Sequence, residues 1–128
     1  MHFLISGDEV IKRRWKAITA TWFVCLVLGS FLPLRWKTRL LLKGPLHLPV
    51  HFTVFLVSGL LLFASLRPFA RQFPRFVALI GLAFAIESLQ CLVFHNTFEW
   101  RDLFTDTLGV SVALLIAQVL HEIRFNSN

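Results

Sequence analysis

An all-α integral membrane four-helix bundle with short loops is the fold this sequence predicts, and three observations carry it. Four apolar runs occupy most of the 128 residues. Each is near the roughly 20 residues with which a helix crosses about 30 Å of hydrocarbon. The 13 Lys and Arg residues collect in the gaps between the runs, where they serve as anchors and orientation signals. Composition agrees: 56% of the residues are hydrophobic and the mean hydropathy is +0.70, well above that of a soluble domain. A chain of this length holds one domain, 1–128, and no repeat or linker divides it.

The first run covers residues 17–34, opened by Lys12, Arg13, Arg14, Trp15 and Lys16 and closed by Arg35, Trp36 and Lys37. No small-residue cleavage pattern follows Leu28, so a retained helix is expected rather than a signal peptide. The second covers 50–66, after the breakers Gly44, Pro45 and Pro49 and before Arg67 and Pro68. Its helix has room to begin nearer Leu46, with Pro49 tolerated in the first turn. The third covers 76–94, from just after Pro74 to His95, and the fourth covers 103–120, fading into the polar tail from His121. None alternates polar and apolar residues as a barrel strand does. Trp15, Trp36 and Trp100 sit at run edges, the headgroup level an amphipathic ring prefers, and Trp22 alone lies inside a run.

With the N-terminus inside, eight Lys and Arg residues fall on the inner side and five on the outer, so both termini are placed in the cytoplasm. The net charge of +6 raises the question of nucleic acid. No basic, polar-faced helix is present to lie along a phosphate backbone, and no nucleic-acid partner is expected. The stretch from Arg35 to Lys43 alternates basic and apolar residues and offers either a surface for anionic headgroups or a solvated loop. Cys25 and Cys91 lie inside apolar runs as small hydrophobes, and no disulfide is expected.

Ionisable groups inside apolar helices are costly, by about 2.5–3.5 kcal/mol on insertion scales, and ask for an explanation. Glu87 lies past the middle of the third run, with Gln90 three residues on and on the same face. Either an interhelical hydrogen-bond pair or a ligand site accounts for it. Glu99, Asp102 and Asp106 open the fourth helix. Acids in a first turn are ordinary caps, which suffices for Glu99 or Asp102. Asp106 lies a turn deeper, and Gly109 lets a neighbouring helix approach there. His51 opens the second helix, eight residues before Gly59. In an antiparallel bundle all three groups fall at one outward-facing end. A metal is disfavoured because His51, Glu87, His95 and Asp102 are scattered over separate segments. His2, His47 and His121 are read as interfacial hydrogen-bonders. No phosphate loop, nucleophile elbow or dinucleotide fingerprint occurs, so no cofactor is expected.

These elements, in this order, resemble the VanZ-like family of small bacterial membrane proteins, named for a teicoplanin-resistance protein. The resemblance spans His51 to Gly109. It consists of His51 with Gly59, Glu87-Ser88-Leu89-Gln90, and Glu99, Asp102, Asp106, Thr107 and Gly109. The chain departs from the family at Asp106, where Asn is usual, at Asn96, where many relatives have Arg, and at His47-Leu48, where Asp-Lys is common. The resemblance implies a multi-pass protein of the bacterial cytoplasmic membrane and a link to lowered teicoplanin sensitivity, with no securely assigned reaction. The first expectation is therefore a non-enzymatic cell-envelope module that binds a membrane lipid, an anionic envelope lipid or a lipid-like ligand. Its polar site is His51, Glu87, Gln90, Glu99, Asp102 and Asp106, with Gly59 and Gly109 serving helix packing. The alternatives are a structural membrane subunit and an intramembrane enzyme using Glu87 or Asp102 as general base and His51 as proton partner.

Overall fold

Helix runs past the apolar segments wherever the flanking residues are good helix formers, because apolarity marks the solvent a segment prefers and not where its backbone coils. The computed structural model describes residues 7–33, 36, 44–65 and 67–126, and among them it is all-helical, with four helices and no strand. Helix α1, Gly7–Ser30, starts well before residue 17. Its polar first turns hold an exposed Glu9–Lys12 pair at 3.0 Å. It also stops earlier than the predicted 17–34: the Ser30 hydroxyl bonds the Leu26 carbonyl, Phe31 and Leu32 tighten into a turn, and Pro33 follows. Leu34 and the basic stretch 35–43, apart from Trp36, lie outside the described residues.

Helix α2, His47–Phe63, begins a turn before residue 50, with Pro49 in its first turn where a missing N–H costs nothing. Helix α3, Phe69–Phe94, starts directly after Pro68 and carries Pro74 in its second turn. It ends at His95, whose φ of 55° is the left-handed conformation that terminates many helices. Helix α4, Trp100–Asn126, takes in the tail that sequence polarity had set apart.

The chain runs up and down. At one end the Trp15 indole donates to the Leu61 carbonyl and the Gln118 amide to that of Arg67; at the other the Gln90 amide donates to the Ser30 carbonyl. The most extensive packing is α2 on α4, around Phe55, Phe63, Val110 and Ala113, with Leu79 and Ala83 of α3 completing the core. Two glycines let α2 and α4 close. A Cβ on Gly59 would stand 2.5 Å from the Ala113 Cβ, and one on Gly109 would stand 2.5 Å from the Phe52 carbonyl oxygen. Helix α1 lies more loosely, tied by the Trp22 indole, which donates to the buried Ser58 hydroxyl at 2.8 Å.

The distribution of polarity is inverted relative to a soluble domain. Leu92, Phe104 and Leu28 are 71%, 70% and 66% exposed, while Ser58, Gln72, Glu87, Asp102 and Asp106 are buried. Helices α3 and α4 are long and apolar enough to cross a membrane, with mean hydropathies of 2.1 and 1.8 over their best windows. Helix α2 is apolar but shorter, and the apolar part of α1 within the helix is only Ala17–Ser30.

The end opposite the candidate site is fastened by a residue the sequence did not single out. Gln72, fully buried, donates to the Phe63 carbonyl at 3.3 Å and accepts from Arg75, which also reaches the Leu62 carbonyl and the Ser65 hydroxyl. Together they satisfy carbonyls that the last turn of α2 leaves open and place a cation at its negative end. Gln72→Leu should leave a buried carbonyl without its donor at a cost of about 1–3 kcal/mol. The expected result is a melting midpoint in detergent roughly 5 °C lower, and an unchanged midpoint would remove Gln72 from this role.

Candidate functional site

The site is built where α2 and α4 begin and α3 ends. His47 and His51 are one turn apart on α2, and Asp102 and Asp106 are one turn apart on α4, so two parallel helices, both starting at this end, place two imidazoles against two carboxylates. His47 Nε2 lies 2.7 Å from Asp102 Oδ2, and His51 Nδ1 lies 2.9 Å from Asp106 Oδ1. The other ring nitrogen of His51, Nε2, faces Asp102 Oδ2 at 3.6 Å, and Glu99 Oε2 stands 3.6 Å from His47 Nε2. The two imidazole rings meet edge to face, 4.6 Å apart. Both aspartates are buried, and Asp102 Oδ1 has no hydrogen-bond partner among the described residues.

Glu87 and Gln90 do not join this cluster directly; they tie down the helix ends around it. The buried Glu87 carboxylate accepts the Glu99 N–H at 2.7 Å, filling the positive N-terminus of α4 with a charge from α3. The Gln90 amide donates to the Ser30 carbonyl at 2.7 Å, holding the end of α1. The last turns of α3 thus set the positions from which α1 and α4 frame the site. Gly59 and Gly109 lie below it in the α2/α4 interface, where they fix the separation of the histidines from the aspartates.

His47 is the residue that sequence reading placed wrongly among solitary interfacial histidines. The signal was available: His47-Leu48-Pro49-Val50-His51 is a His-x-x-x-His spacing, which puts both rings on one face once the segment is helical. Pro49 inside the spacing disguises it, because the apolar run free of proline starts only at Val50. The scatter that disfavoured a metal also disappears in the fold. His47, His51 and Asp102 offer ligand atoms that all lie within 4.8 Å of one another, while His95 is placed at the α3 cap.

A cavity of about 490 Å³ opens beside the cluster. Its walls are mostly apolar, from Trp22 and Leu26 of α1, Val54 and Phe55 of α2 and Phe94 of α3, and its polar end is formed by His47, His51, Gln90, Glu99 and Asp102. A second recess of about 480 Å³, lined by Gly44, Trp100 and Arg101, reaches His47, Glu99 and Asp102 from the loop side. No protein-family model, curated protein or solved structure matches the chain.

Proposed function

We propose that the chain is a VanZ-like, multi-pass protein of the bacterial cytoplasmic membrane. In this reading its polar site lies at the outward face and binds an envelope lipid or a lipid-like ligand. The observation that carries the reading is the shape of the site: a cavity with apolar walls ends in a compact group of imidazoles and carboxylates. Such a volume accommodates part of an acyl chain and its linkage, and the polar end offers hydrogen bonds to a headgroup. The inverted polarity of the fold supports lipid as the solvent around it. By the VanZ-like resemblance, the ligand class extends to the lipid-like portion of teicoplanin.

The intact protein, purified in mild detergent, should retain phospholipid in native mass spectrometry. Asp102→Asn and Trp22→Ala, which alter the polar end and an apolar wall of the cavity, should each lower that occupancy severalfold. Equal occupancy in wild type and both variants would sink the reading.

A purely structural bundle is the second reading, and one observation favours it: Glu87 and Gln90 each hold the end of a neighbouring helix. Under it, Glu87→Gln should lower stability without changing lipid occupancy, since an amide oxygen still accepts the Glu99 N–H but carries no charge to the helix end.

A further inference from the structure

We propose that His47, His51 and Asp102 form a site for a divalent transition-metal ion of the zinc class, with one coordination position open to the cavity. The proposal deepens the lipid-site reading by naming how that site would hold an anionic headgroup, and the cation site itself stands on separate observations.

The first observation is the donor set. Two imidazoles and a carboxylate are the ligands zinc favours, whereas magnesium and calcium prefer oxygen alone. For metal–ligand bonds of about 2.0–2.1 Å, tetrahedral ligand atoms stand roughly 3.3 Å apart. Asp102 Oδ2 is 2.7 Å from His47 Nε2 and 3.6 Å from His51 Nε2, and the ligand atoms of all three residues lie within 4.8 Å of one another, so side-chain movements of about 1 Å bring the set to that spacing.

The second observation is the hydrogen bond behind the ligand. His51 Nδ1–H donates to Asp106 Oδ1 at 2.9 Å, which fixes the ring and turns Nε2 toward Asp102. A carboxylate holding the far nitrogen of a histidine is the arrangement that orients metal ligands and raises their basicity. In the neutral ring this leaves Nε2 as a lone pair facing a carboxylate oxygen, two acceptors whose repulsion a shared proton or a metal ion relieves.

Third, Asp102 Oδ1 is buried without a hydrogen-bond partner among the described residues. A buried carboxylate oxygen is costly in that state, and bidentate coordination, with the ion held at Oδ2 and shared with Oδ1, would satisfy it. The three ligand residues all line the cavity, so the fourth position faces it. An anionic headgroup entering there meets Glu99 and Asp102 and would be repelled by carboxylates alone. A bound divalent ion reverses the local sign and supplies a bond to a phosphate or carboxylate oxygen. On binding through Nε2 the neutral His47 ring carries its single proton on Nδ1, so coordination changes the tautomer of the ring and not its charge.

The test uses the full-length protein in detergent, stripped with chelator and titrated with Co²⁺. One equivalent should bind with the intense visible absorption of a four-coordinate ion and be displaced by Zn²⁺. His51→Gln and Asp102→Asn should abolish the bands, His95→Gln should keep them, and Asp106→Leu should weaken binding about 10–100-fold. Absence of visible bands and of bound zinc in the wild type overturns the proposal, as do bands that persist unchanged in both ligand variants. If those variants fail to fold, zinc-edge X-ray absorption of the loaded wild type decides: two imidazoles in the shell support the site, and none overturns it. Phosphatidylglycerol micelles then separate the two readings. Retention that needs zinc supports both. Zinc bound with no lipid retained leaves the cation site standing and overturns the headgroup reading.

Discussion

Gly109→Ala should cost the protein about 2 kcal/mol of stability and Gly109→Val more, although alanine is the better helix former by about 1 kcal/mol. The added Cβ would stand 2.5 Å from the Phe52 carbonyl oxygen and 3.0 Å from the Leu56 nitrogen. Both are backbone atoms within α2, so no rotamer change relieves them and the two helices must separate. Separation also moves His47 and His51 away from Asp102 and Asp106, since one pair rides on α2 and the other on α4. Thermal melts in detergent should therefore show a large loss for Gly109→Ala, together with loss of ligand at the site. Gly81→Ala is the control: nothing lies within 4 Å of its added Cβ, and it should melt no lower than wild type. The obstacle at Gly59 is different, being the Ala113 Cβ, so Gly59→Ala should be rescued in part by Ala113→Gly. Equal melting of Gly109→Ala and Gly81→Ala would show that the α2/α4 contact tolerates expansion.

Much of this was legible because helix periodicity is rigid. Asp102 and Asp106 share a face by spacing alone, and Gly109 follows them into the α2/α4 contact; apolar run length gave four helices. Helix ends were less legible. The first turns of α1 and the tail of α4 are helical while polar, and hydropathy says nothing about such segments. Partners across helices were not legible at all. Glu87-Ser88-Leu89-Gln90 reads as one polar face, yet its two side chains go to different helices, because the ends of α1 and α4 lie on either side of α3. Gln72 escaped notice for the same reason: only the fold brings it to the open carbonyls at the end of α2.

Asp106→Asn and Asp106→Leu should separate by about 2–3 kcal/mol, and the size of the difference reports how His51 is used. Asparagine keeps an acceptor oxygen for the His51 Nδ1–H at the 2.9 Å position now held by the carboxylate. If His51 is a neutral ring that presents Nε2 to a cation, this is all the position requires. The zinc-loaded Asp106→Asn protein should then melt within about 1 kcal/mol of wild type. Leucine removes the acceptor and leaves a buried N–H unpaired beside the now unsupported ring, at a cost of about 3 kcal/mol. A charged His51 held by ion pairing makes the opposite prediction for asparagine, because a buried imidazolium would lose its counter-ion and the penalty would approach that of leucine. A mild effect of Asp106→Asn on stability would therefore mark His51 as an oriented ligand, held by a hydrogen bond to its far nitrogen, rather than as half of an ion pair.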